Sequence, residues 1–286
     1  MLSRIRPLVF VAVALVVVIA ALGAPAFAAG PTGDATRGQY LFHLNGGCGC
    51  HTDVFGHAIG GMIFAGPFGA VYSKNITPDQ TTGIGKWTAD QIITAIRTGK
   101  DDEGKQLFPA MPYMSFSGLA DQDVADLVAY VRTWPAVKHE FPKDALKGPV
   151  PPFTAPAPAP KVAPTTGVAR GKYLVSAIAI CSDCHTPMKP DGSPDMTKFL
   201  AGGLIPGASV SANITPDNDT GIGKRTAEQI AHELRTGQRP DGTLVEELMR
   251  QQIQGGYQNL TEADAMDIAA FIKTIPAVKN TPQYCP

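Results

Sequence analysis

Cys181-Ser182-Asp183-Cys184-His185 gathers two thiols and an imidazole within five residues. Residues three and four apart share one face of a helix, so both sulfurs and the ring can address one flat group. The chemistry that fits is covalent attachment of a c-type haem, with thioethers from Cys181 and Cys184 and with His185 as the proximal iron ligand. A zinc half-site or a redox dithiol would draw on the same residue types. A second cluster reads Gly46-Gly47-Cys48-Gly49-Cys50-His51. Cys50 and His51 match Cys184 and His185, but the other cysteine comes one residue late. Positions two apart do not face each other on a regular helix. Cys48 and Cys50 can therefore reach one macrocycle only through local unwinding, which the glycines at 46, 47 and 49 permit. Three arrangements stay open: both cysteines attached, Cys50 alone attached with His51 ligating, or a haem-free scaffold. Cys285 is either a free thiol or the partner of a spare cysteine.

Stepping outward from these residues, the chain is written twice. Asn75-Ile76-Thr77-Pro78-Asp79 recurs as Asn213-Ile214-Thr215-Pro216-Asp217, and Thr82-Gly83-Ile84-Gly85-Lys86 recurs as Thr220-Gly221-Ile222-Gly223-Lys224. The period is too long for a solenoid, so each copy is expected to be a whole domain. A stretch rich in proline and alanine separates them and predicts an extended, semi-rigid spacer. The expected division is domain 1 at 30–147, linker at 148–165 and domain 2 at 166–286. Each copy predicts a first helix bearing Gly38 or Gly171, then the cysteine cluster, then a loop rich in glycine and proline. A middle helix follows, opened by the capping boxes Thr88…Gln91 and Thr226…Gln229 and stopped by Gly99 and Gly237. A last helix is expected over 121–133 and over 262–274, with apolar residues at helical spacing and Thr261 as an N-cap. Gly38 and Gly171 would let the first and last helices cross closely. No alternating strand pattern competes, so the fold class is mostly α.

Both halves resemble class I cytochrome c domains. The pair resembles the diheme cytochrome c electron carriers of bacterial periplasmic dehydrogenases, on the strength of the C-S-D-C-H motif and the N-I-T-P-D-x-x-T-G-I-G-K run. The resemblance implies two haems, each wrapped by a small helical domain, and a methionine on each iron between the motif and the last helix. Met111 in Met111-Pro112-Tyr113 is the choice in the first half, with Met114 as its rival; Met249 is the choice in the second. Methionine sulfur favours the reduced iron. Met62, Met188 and Met196 are expected as packing residues. His43, His57, His139 and His232 are expected to be solvated or hydrogen-bonded, with His57 a weak rival ligand.

Arg4 and Arg6 precede an apolar run from Leu8 to Leu22 and the small-residue site Ala26-Phe27-Ala28, the layout of a signal peptide over 1–28. Export to the periplasm follows from it, with retention as a membrane anchor the alternative. A net charge of −1 gives no reason to expect a nucleic-acid partner. The expected role is single-electron transfer from a periplasmic dehydrogenase to a soluble cytochrome or terminal oxidase, without catalysis of its own. Rival roles are a diheme enzyme, such as a peroxidase or a thiosulfate-oxidising cytochrome, and a haem-based sensor or assembly module.

Overall fold

The computed structural model describes residues 32–46, 48–53, 56–155, 157–190, 192–205 and 209–282. The signal-peptide expectation and Cys285 lie outside these residues. In the first half, α1 (Ala35–Leu44) leads into the cysteine cluster. A hairpin of β1 (Ile63–Gly66) and β2 (Gly69–Tyr72) follows, then α2 (Ala89–Thr98), the short α3 (Tyr113–Phe116), α4 (Asp121–Val131) and β3 (Ala145–Leu146). The second half runs α5 (Gly167–Tyr173), a π-helical turn over Leu174–Ile178, and α6 (Cys181–His185). The hairpin β4 (Gly203–Ile205) and β5 (Ser209–Ser211) comes next, then α7 (Ala227–Thr236), α8 (Glu247–Gly255) and α9 (Glu262–Ile272). Among the described residues no helix is long and apolar enough to cross a membrane.

The helix limits have local causes. Thr88 and Thr226 each accept from the N3 backbone while Gln91 and Gln229 reach back, so both capping boxes form. Gly99 and Gly237 close these helices at φ of 64° and 74°, a left-handed conformation that glycine adopts without steric penalty. Thr261 caps α9 by accepting from Asp264 N–H. The first helix of each half packs against the last, α1 on α4 and α5 on α9. A Cβ added to Gly38 would sit 1.9 Å from the Asp126 carbonyl oxygen, and one on Gly171 would sit 1.8 Å from that of Asp267. Only glycine permits these crossings.

Two features differ from the sequence reading. The loops after the cysteine clusters each contain an antiparallel hairpin, Ile63–Gly66 against Gly69–Tyr72 and Gly203–Ile205 against Ser209–Ser211. These strands are three or four residues long and mostly not buried, so they carry no apolar alternation. In addition, α8 occupies what reads as a loop in the first half. Its apolar residues Met249 and Ile253 pack on the core side of an otherwise polar helix.

One core cluster of buried residues runs through both halves, joining Leu41, Leu44, Phe116 and Leu119 to Leu174, Ile178, Ile253 and Ile268. The proline- and alanine-rich stretch has no helix or strand among its described residues. It lies along the first half: the Phe153 ring packs at a tilt on Tyr113 with centroids 5.2 Å apart, and Asp121 N–H donates to the Pro160 carbonyl at 3.0 Å.

Candidate functional site

The second cysteine cluster forms one helical turn, α6, entered through Ile180 in the left-handed region at φ 43°. Cys181 and Cys184 are side by side. Burial, and then the neighbouring Cys184, push the Cys181 thiol up to about 12; burial and then Asp183 raise Cys184. These are neutral thiols at pH 7, unlike the low-pKa thiolates of redox dithiols. Among the described residues no three His, Cys, Asp or Glu side chains gather to hold a metal ion.

The first cluster folds differently. Gly46, five residues before its histidine as Ile180 is before His185, is likewise left-handed at φ 72°. Cys48 is left-handed as well, at φ 47° and ψ 46°, and only Gly49–His51 forms a helical turn, of the tighter 3₁₀ kind. The chain is thus unwound at the displaced cysteine itself, a conformation that costs a non-glycine residue roughly 1–2 kcal/mol. Burial, followed by the adjacent Cys50, pushes Cys48 up to about 12, as for Cys181.

Both histidines are held in the same way. His51 Nδ1 lies 2.6 Å from the Lys74 carbonyl and His185 Nδ1 lies 2.8 Å from the Ala212 carbonyl. A carbonyl can only accept, so Nδ1 carries the proton and Nε2 keeps its lone pair. Burial lowers both imidazole pKa values, more than these bonds raise them, so both rings are neutral at pH 7. A neutral imidazole with Nδ1 tied to a carbonyl is the form that ligates a metal. The backbone on the other side is fixed too: Gly60 N–H donates to the His51 carbonyl at 2.7 Å, and Gly202 N–H to that of His185 at 2.6 Å.

The two carbonyls that hold the rings were not visible as site residues in the sequence, although the signal was there. Each immediately precedes the repeated Asn-Ile-Thr-Pro-Asp run. Asn75 Nδ2 donates to the Val137 carbonyl at 2.8 Å and to Thr82 at 3.0 Å; Asn213 does the same to Val278 and Thr220 at the same distances. The run anchors itself to the chain beyond the last helix and thereby sets the carbonyl under the histidine.

Met111 and Met249 are half-buried and pack against the core cluster. Met111 sits in the turn before α3, whereas Met249 lies within α8. Met114 is 53% exposed, which separates it from its rival. His57 is exposed and its Nδ1 lies 3.1 Å from Asp53 Oδ2. Met62, Met188 and Met196 are 46–60% exposed and are not the packing residues expected of them. The two clusters also border the seam between the halves. Ser115 Oγ, just after Met114, donates to Asp183 Oδ1 inside the second cluster at 2.7 Å. In the other direction, the Gln252 side chain of α8 abuts Gly46 at the first.

This donor set fits a c-type haem in each half: paired neutral thiols, a neutral imidazole with Nε2 available, and a half-buried thioether. Known proteins agree. A family model described as Cytochrome c matches residues 35–135. The chain is 33% identical over 279 residues to a "Diheme cytochrome c-type" protein of Cereibacter sphaeroides, covering 89% of this chain and 90% of that one. It is 32% identical to the "Gluconate 2-dehydrogenase cytochrome c subunit" of Pantoea cypripedii, covering 92% of this chain and 65% of the relative. It is also 32% identical to the "Fructose dehydrogenase cytochrome subunit" of Gluconobacter japonicus, covering 87% and 54%. The chain therefore spans between half and two thirds of the length of these dehydrogenase subunits.

Proposed function

Because the chain belongs to the cytochrome c family, we propose that it is a periplasmic diheme electron carrier, organised as two tandem haem domains. It accepts single electrons from a dehydrogenase and passes them to a soluble cytochrome or terminal oxidase. The observation that carries this reading is the duplicated histidine setting, each ring neutral and tied through Nδ1 to a backbone carbonyl beside a pair of neutral thiols. A c-type haem supplies a reversible one-electron change at its iron. Cys181 and Cys184 hold it in the second half, with His185 and Met249 as ligands. Cys50 and Cys48 hold it in the first, with His51 and Met111. The left-handed backbone at Cys48 supports attachment through both first-half cysteines, because it supplies the unwinding that their spacing demands. The remaining residues bind and orient. The carbonyls of Lys74 and Ala212 fix the ring planes, and the core cluster packs against Cys181. The dehydrogenase partner is supported by relatives whose names describe cytochrome subunits of gluconate and fructose dehydrogenases.

The test is the covalent haem content of the full-length exported protein after acid–acetone extraction. Two haems per chain are expected, with a pyridine haemochrome α-band at the two-thioether position. A red-shifted component lost in no Cys48→Ala control would mean that Cys50 alone attaches. One haem per chain would reduce the first half to a scaffold, and none would overturn the reading.

A further inference from the structure

The seam between the halves contains a pair of tyrosines that exchange partners. Tyr40 on α1 points its hydroxyl out of its own half and donates to Asp264 Oδ2 at 2.6 Å, at the third position of α9. The Tyr40 hydroxyl oxygen in turn accepts from the N–H of Thr261, the residue that caps α9, at 3.3 Å. Tyr173, at the end of α5, does the converse. It donates to Asp123 Oδ2 at 2.6 Å, at the third position of α4, and accepts from the N–H of the cap residue Ala120 at 2.9 Å. Each carboxylate is also held by an arginine of its own half. Arg170 bonds Asp264 through Nε and Nη2, both at 2.9 Å, and Arg37 bonds Asp123. The start of each last helix is thus gripped by an arginine from its own half and a tyrosine from the other. The grip is well covered: Asp123 is fully buried, and Tyr173 and Asp264 are each 8% exposed.

These helices lead directly to the chemistry. The first cluster starts within a few residues of α1, and α6 follows α5 through the π-helical turn. Tyr40 lies eight residues before Cys48, and Tyr173 eight before Cys181. The contacts of Ser115 with Asp183 and of Gln252 with Gly46 show both clusters bordering the same seam. A tether of proline and alanine alone would leave two carriers free to reorient. We propose that Tyr40 and Tyr173 form a reciprocal clamp that fixes the two haem sites in one rigid arrangement, so that they act as a coupled pair. The clamp stands on the contacts at the seam; its bearing on two haems rests on the function proposed above. The tyrosines are positioning residues, because neither touches a cluster.

The experiment compares the full-length protein with Tyr40→Phe, Tyr173→Phe and the double variant. Thr226→Ala serves as a control, since it removes a cap hydrogen bond wholly inside the second half. Two readouts are taken on the same samples, the radius of gyration from small-angle X-ray scattering and the bisignate Soret circular dichroism that two haems at fixed mutual orientation produce. The wild type and the control are expected to show a compact radius and a full couplet. Each single variant is expected to lose part of the couplet; the double variant is expected to lose it and to expand. A double variant with wild-type radius and couplet would overturn the clamp, as would equal loss in Thr226→Ala. If the double variant does not accumulate, the single variants decide, and unchanged couplets in both overturn it. One haem per chain in the wild type would overturn the two-haem reading alone, because the scattering still reports on the clamp.

Discussion

What holds one nitrogen of a histidine decides whether the other keeps its lone pair, and here that is a carbonyl set by a repeated loop. The cysteines and histidines were legible as chemistry because thiol and imidazole at this spacing have few other uses. The carbonyls were not, since any residue supplies one. The displaced Cys48 was legible only as a departure from helical spacing; its backbone is left-handed. Methionine was the least legible ligand, because its other common role is packing, and exposure now separates the candidates. Met114 is half-exposed while Met111 packs on the core. Met111→Ala is therefore expected to remove one of two sulfur-to-iron near-infrared bands of the oxidised protein, and Met114→Ala to leave both. The reverse result would transfer the ligand role to Met114.

At the scale of elements, caps and close crossings were readable and strands were not. A capping box is written in side chains, Thr88 with Gln91 and Thr226 with Gln229, and both form. The hairpins depend on backbone pairing between short, mostly unburied segments, for which side-chain pattern gives no sign. The helix α8 escaped notice because the helix before α4 in the first half, α3, is only four residues long. The crossings yield a direct test. Gly171→Ala places a methyl 1.8 Å from a backbone oxygen that cannot rotate away, so α5 and α9 must separate. A loss of about 3 kcal/mol is expected from overpacking of this kind, read as a lower urea midpoint. Gly148→Ala, with open space around the added carbon, is expected to leave the midpoint unchanged.

For the whole molecule, the duplication was legible and the continuity of the core across it was not, since repeats announce copies without saying how the copies meet. The seam also sets the acid response. Burial alone would raise the Asp264 carboxyl, but the bonds from Arg170 and Tyr40 outweigh it and hold the group below its ordinary value. A carboxyl depressed in the folded state contributes stability above the unfolded pKa of about 4, and that contribution disappears as pH falls through the folded value. Wild-type stability is expected to drop between pH 5 and about pH 2 more steeply than that of Asp264→Asn, measured by urea unfolding across that window; parallel curves would show that Asp264 does not govern the acid limb. Finally, the exchange of tyrosines has the logic of an isologous dimer, in which residue i of one subunit meets residue j of the other and j meets i. Two separate chains would need that surface to be self-complementary, and their association would vary with concentration. Carried on one chain, the two sides meet at any dilution and are released from identity. One side can then keep Cys-Ser-Asp-Cys-His while the other departs to Cys-Gly-Cys-His, a divergence that no symmetric pair of identical subunits could hold.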